Sequence, residues 1–158
     1  MKRRAFAFVI VIVLAGLAFV PAVAAGPPSD VEGNWEWSVG EFIEEKIAGG
    51  NMFFSGFEYG VWSGDLQGTS LDEFRGVFHP TGFATVQFRI TFAGSVLGVE
   101  GTMVFEMATV GRPDGSAYGS WVIKSGTGGL AGLRGEGKFW IEPDDLLGSY
   151  SGKVHWKQ

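Results

Sequence analysis

Ser125-Gly126-Thr127-Gly128-Gly129-Leu130-Ala131-Gly132-Leu133-Arg134-Gly135-Glu136-Gly137-Lys138-Phe139-Trp140 is a glycine-dense turn that runs into a short strand. Segments that alternate as strands do flank it, Tyr118 to Lys124 before and Ser149 to Trp156 after. Gly126 to Ala131 also matches the loose dinucleotide form G-x-G-x-x-A. That form needs a helix directly after the turn, with its N-terminus on a pyrophosphate. A helix through Gly132, Gly135 and Gly137 would lose roughly 1 kcal/mol at each glycine. The stretch therefore reads as a turn in an antiparallel sheet. No Gly-Lys-Ser/Thr follows, which excludes a P-loop.

Working outward, the chain is strand after strand. Gly33 to Val39 puts Trp35, Trp37 and Val39 on one face. Glu41 to Ala48 has room for a turn or two of helix, but its glycine flanks favour a strand or an irregular connection. Met52 to Trp62 and Leu66 to Phe78 follow, then a His79-Pro80-Thr81-Gly82 turn. The cleanest alternation comes next, with Ala84, Val86, Phe88, Ile90 and Phe92 on an apolar face and Thr85, Gln87, Arg89 and Thr91 opposite. A turn is expected at Ala93-Gly94-Ser95 and a strand from Val96 to Val110, with Gly98 and Gly101 as bulges. Tyr118 to Lys124, Gly135 to Glu142 and Leu147 to Trp156 complete the set. This spacing of short strands predicts an all-β domain, either a closed antiparallel barrel or a sandwich. The glycine content and the lack of helix favour the barrel, which leaves no open edge.

The first residues predict a compartment. Met1-Lys2-Arg3-Arg4, an apolar run to Val20 and small residues at Ala22 and Ala24 have the layout of a secretory signal peptide cleaved after Ala24. The alternative is an uncleaved anchor, since a spanning helix needs roughly 17 to 25 residues. The expected organisation is a signal peptide over 1–24, an extended leader over 25–32 and a barrel over 33–158. The expected location is secreted or extracytoplasmic, in the periplasm or cell envelope, with no stable membrane span after cleavage. Cleavage takes away three basic residues and no acid, so nine Lys and Arg face 17 Asp and Glu, a formal charge of −8. That balance argues against nucleic acid or anionic lipid as partner. The chain has no cysteine, which removes disulfides, thiol nucleophiles and thiolate metal sites.

The pattern Ser125-Gly126-Thr127-Gly128-x-Leu130-x-Gly132-x-x-Gly135-x-Gly137-x-Phe139 resembles a signature of the allene oxide cyclase-like barrels. That group includes plant dirigent proteins and bacterial families of unknown function. Phe74-Arg75-Gly76-Val77-Phe78 and Gly101-Thr102-Met103-Val104-Phe105-Glu106 suit the same layout. The resemblance spans Gly50 to Trp156 and implies an eight-stranded barrel, often with a central apolar cavity. It implies a homo-oligomer in some relatives, and it brings no portable active site.

The chemistry-bearing residues are sparse. His79 and His155 stand apart from any paired carboxylates, so neither metal nor cofactor nor catalytic residue is assigned. No G-x-S-x-G elbow is present. Glu106, beside Val104, Ala108 and Val110, and Arg75, beside Leu71 and Val77, are charges among apolar strand neighbours. Turned inward, either would mark a binding group; the simpler reading turns both to solvent. Trp35, Trp37 and Phe105 are candidates to line a pocket, though the same rings can fill a small barrel solid. The leading expectation is an exported barrel without catalysis that binds a small apolar ligand. The alternatives are an isomerase or cyclase using an inward Glu106 or Arg75, and an oligomeric structural protein of the envelope.

Overall fold

The computed structural model describes residues 26–143 and 147–157; the expected signal segment lies outside them. Eight strands follow one another: β1 (Ser29–Ala48), β2 (Asn51–Gly64), β3 (Leu66–Phe78), β4 (Ala84–Val96), β5 (Val99–Gly111), β6 (Ala117–Gly128), β7 (Leu133–Ile141) and β8 (Leu147–Trp156). Each pairs antiparallel with the next, and β8 returns to β1, closing a barrel in chain order. The barrel is the form adopted, not the sandwich. The pairing of β8 with β1 runs only from Ser29↔Val154 to Glu36↔Leu147, whereas β1 continues along β2 to Ala48.

Glu41 to Ala48 is strand, one of the two forms its glycine flanks favour, joined to β2 through two register shifts in β1 and a turn at Gly49 and Gly50, both at positive φ. One expectation about boundaries is corrected. The turn expected at Ala93-Gly94-Ser95 lies instead at Leu97-Gly98, between the paired Val96 and Val99. Ala93 to Ser95 stay in the ladder because their partners on both sides, Gln67 to Thr69 and Glu100 to Thr102, remain in register. Leu97 has φ 51° and Gly98 φ 79°, the mirror-image two-residue hairpin turn that suits twisted strands. A leucine in the left-handed region costs about 1–2 kcal/mol. Leu97→Asn keeps the backbone N–H that Leu97 donates to the Asp65 carbonyl at 2.8 Å. It is expected to raise stability by about 1 kcal/mol in a denaturant titration; an unchanged midpoint would show that the turn is not strained.

The glycine-dense stretch splits between two strands and the turn joining them. β6 persists to Gly128, where Thr127 and Thr102 share a hydrogen bond of 2.6 Å on the outer face. The chain then coils tightly: Leu130 N–H reaches the Thr127 carbonyl, Ala131 N–H that of Gly128, and Leu133 N–H that of Leu130. This coil turns Leu130 into the barrel end, where it is fully buried beside Leu133. Trp156 donates its indole N–H to the Gly129 carbonyl at 3.0 Å and ties β8 to the same turn.

The interior is aromatic rings laid on glycine. Trp35, Trp62, Phe92, Phe105, Trp121, Phe139 and Tyr150 are buried in one cluster. Trp121 lies against Gly137 and Gly152, which face each other across β7 and β8, and Trp35 lies against Gly148. A flat ring needs a flat wall, and a strand presents one only where it lacks a side chain. At the Leu130 end, the Tyr150 hydroxyl accepts from Leu66 N–H at 2.8 Å and donates to the Ser63 carbonyl at 3.1 Å, binding β8 across the barrel to the β2–β3 turn. Burial pushes its pKa up to about 12.

Candidate functional site

Alternation along β2 and β3 turns two acids inward. On β2 the inward series is Phe54, Gly56, Glu58, Gly60 and Trp62, and on β3 it is Leu66, Ser70, Asp72 and Phe74. Glu58 and Asp72 are direct register partners, so their Cβ atoms stand about 5 Å apart. Asp72 is 0% exposed and Glu58 9%. The ladder continues from Asp72 to Ile90 on β4 and Phe105 on β5, which sets buried apolar side chains beside the pair.

The pair is poorly satisfied. Trp62 donates its indole N–H to Ser70 Oγ at 2.8 Å. The Ser70 hydroxyl and the Trp35 indole converge over Gly60, where the missing side chain leaves them room. Both lean toward Asp72, yet neither Asp72 oxygen has a well-formed hydrogen bond, nor has Glu58 Oε1 or Trp35 Nε1. Burial, with Asp72's charge adding to it, pushes the Glu58 carboxyl up to about 8. Burial pushes Asp72 up to about 6, held back by the Ser70 hydroxyl and the Trp35 indole. At neutral pH the pair therefore holds about one proton, with the carboxylate charge mainly on Asp72.

Beyond the acids, toward the β1–β2 turn, the interior is phenylalanine. Phe54 stacks on Phe78 at 4.8 Å, Phe42 meets Phe74 at 5.5 Å, and Phe74 meets Phe88 at 6.0 Å. Phe42 is 50% exposed and Phe78 42%, although both belong to this inward ring cluster. This end of the barrel opens on an apolar, ring-lined mouth. The Leu130 end is shut by Leu66, Val96, Leu130, Leu133 and Val154, all buried.

The sequence candidates divide between the two faces. Trp35 and Phe105 are buried inside, and Trp37, stacked on Trp35 at 5.2 Å, packs against the same core. Arg75 and Glu106 both face outward. Arg75 donates to Gln87 Oε1 through Nε at 3.2 Å and Nη2 at 3.0 Å, and Glu106 pairs with Lys124 at 2.9 Å. Lys124 reaches Glu106 because β6 carries an extra residue there, Val104 pairing with Ser125 and Phe105 with Ile123. The strand segments of Arg75 and Glu106 surround a cavity of about 1180 Å³ whose lining is drawn from all eight strands and includes the inward Gly56, Phe74, Phe88, Met107 and Trp121, while the Arg75 and Glu106 side chains themselves point away from it. Among the described residues no group of three or more His, Asp or Glu is placed to hold a metal ion.

Sequence reasoning missed Glu58 and Asp72. The parity that turns them inward was available, since Glu58 is four residues from Trp62 and Asp72 two from Phe74. Glu58 was hidden because its nearest inward neighbours, Gly56 and Gly60, carry no apolar side chain to mark the face. Asp72 was hidden by Glu73, an outward acid beside it.

Comparison with known proteins agrees with the architecture. A family model described as a protein of unknown function, DUF3224, matches residues 58–151. No protein of curated function matches the chain. A solved structure of a DUF3224-family protein of unknown function from Shewanella oneidensis MR-1 is similar over 84% of this chain and 99% of its own, with TM-score 0.67 and 18% identity. A likeness at that identity speaks to the fold alone.

Proposed function

We propose that this chain, which belongs to the DUF3224 family of proteins of unknown function, binds a small apolar molecule in the phenylalanine-lined end of its barrel. The observation that carries this reading is the mouth itself. Phe42 and Phe78 belong to an interior ring cluster and yet stay about half exposed. A fold that needed these rings only as core would bury them, as it buries the seven aromatics of the deeper cluster. One end open and apolar, the other shut, is the form of a pocket for a molecule that enters lengthwise.

Binding is to be measured by quenching or enhancement of the barrel tryptophans on titration with octan-1-ol. Saturable binding is expected in the wild type, and Phe78→Ala is expected to weaken it several-fold. A linear, unsaturable response would overturn the reading.

The finer placement among the allene oxide cyclase-like barrels is part of the same proposal. It is supported by the strand count, and by the burial of Leu130 and Phe139, the two apolar positions of the Gly126–Phe139 pattern. The isomerase alternative lacks its stated premise, since neither Arg75 nor Glu106 faces the interior. Export after cleavage at Ala24 remains the reading of the first residues, to be tested by N-terminal sequencing of the protein from its host: an N-terminus at Met1 would overturn it.

A further inference from the structure

One inward step beyond Gly56 and Phe74 of the barrel cavity, Glu58 and Asp72 carry chemistry that names the ligand more closely, on the premise that the barrel binds a small apolar molecule at all. We propose that the ligand bears a protonated amine, whose head is held by Glu58 and Asp72 beside Trp35 while its apolar body lies among Phe54, Phe74 and Phe88.

The inward acids are acceptor-rich and short of donors. Both Asp72 oxygens and Glu58 Oε1 are buried without a well-formed hydrogen bond. Trp35 shares the spot: it is 2% exposed, and its indole N–H, without a well-formed bond, leans over Gly60 toward Ser70 and Asp72. No Lys or Arg of the described strands shares the inward face with the pair, so the chain supplies no countercharge. The groups facing the pair are Trp35 and Trp37 from β1, Ile90 and Phe88 from β4, and Phe105 and Met107 from β5. Glu45, opposite Phe54 nearer the mouth, is a further acid and is exposed.

Head groups can be ranked against this surface. A carboxylate head would meet two acids and be repelled. An alcohol brings one donor and no charge. An ammonium brings three donors and the missing positive charge. A buried charge is tolerated only when paired, so cation and acids stabilise each other's presence inside the barrel. A divalent metal ion wants more oxygen ligands than two carboxylates provide.

The test compares three probes with one apolar body, octylammonium, octan-1-ol and octanoate, by isothermal titration at pH 7.5. Octylammonium is expected to bind at least tenfold tighter than octan-1-ol, with octanoate weakest. Asp72→Asn is expected to erase the preference for octylammonium over octan-1-ol, and Glu58→Gln to reduce it. At pH 5, where Asp72 gains its proton, the preference is expected to shrink in the wild type. Equal affinity for ammonium and alcohol would overturn the amine and leave the apolar pocket standing. No binding of any probe would overturn both.

Discussion

Raising the pH from 5 to 8 is expected to lower the melting temperature of the ligand-free protein by about 10 °C. Glu58 and Asp72 both have folded-state pKa values above their ordinary values, about 8 against 4.5 and about 6 against 3.8. A raised acid binds its proton more tightly in the folded chain than in the unfolded one. Above the ordinary value the unfolded state loses its proton and gains stability, while the folded state keeps the proton and does not. Stability therefore falls as pH rises, between about 4 and 6 for Asp72 and between about 4.5 and 8 for Glu58, and levels off beyond. Both groups are well buried, so solvent screening discounts the effect little, and the loss across the window is on the order of several kcal/mol. Asp114, whose carboxylate accepts from the Ser116 hydroxyl and N–H in the β5–β6 turn, has a lowered pKa and the opposite sign. Its contribution is lost only on acidification below the window.

Variants separate the two acids. Glu58→Gln is expected to flatten the upper part of the profile and Asp72→Asn the lower part, and both are expected to melt higher than wild type at pH 8. Removing a buried charge can stabilise where its partner is not stranded by the change, and here the partner is a like charge. A wild-type melting temperature that is flat or rises from pH 5 to 8 would overturn the assignment of both acids to the interior. Octylammonium should reverse the trend at pH 8 by binding the folded state alone. The interior is costly when empty and charged, and a cationic guest offsets that cost.

The fold was legible in the sequence because its two main devices are local. Ala84 to Phe92 alternates without interruption, and the glycine run after Ser125 forbids a helix; both follow from side-chain period and backbone freedom alone. Strand β3 and strand β8 were bounded by turn residues that allow little else. What failed depended on partners. Leu97-Gly98 looked like strand and Gly94 like turn, because the positive φ of a leucine is imposed by the hairpin register and by nothing local. Glu41 to Ala48 was open between strand and irregular connection, and pairing with β2 decides for strand. The candidate site was half legible: rings declare themselves by size, so Trp35, Trp37 and Phe105 were placed inside. Charges do not declare their face. Arg75 and Glu106 stood out beside apolar neighbours that belong to a partly apolar outer wall, with Leu71 and Val122 both exposed on it. The acids that do point inward were flanked by glycine and by another acid.

Substituting the glycines beneath the rings is expected to produce the largest losses of stability, and their pattern tests how the interior is built. A Cβ at Gly137 would strike both the Trp121 ring and the Ser151 carbonyl of β8, whereas at Gly76 the three nearest atoms all belong to the ring of Phe54. A ring can change rotamer or be replaced; a paired backbone carbonyl can do neither without opening the ladder. Gly137→Ala is therefore expected to cost more than about 3 kcal/mol, in the range of severe core overpacking, despite alanine's better strand propensity. Gly76→Ala is expected to cost about 1–3 kcal/mol. Trp121 is held between its glycines by the hydrogen bond from its indole to the Lys138 carbonyl at 3.1 Å, so it has no easy retreat. Urea titrations of the two double mutants decide the matter. Phe54→Leu should recover most of the Gly76→Ala loss, a coupling of about 1 kcal/mol or more. Trp121→Leu should recover little of the Gly137→Ala loss, because the Ser151 carbonyl stays where it is. Equal rescue at both sites would mean that the β7–β8 wall yields as readily as a side chain. The backbone-on-ring packing of β7 and β8 and the ring-on-ring packing around Phe54 would then no longer differ in how they resist an added methyl group.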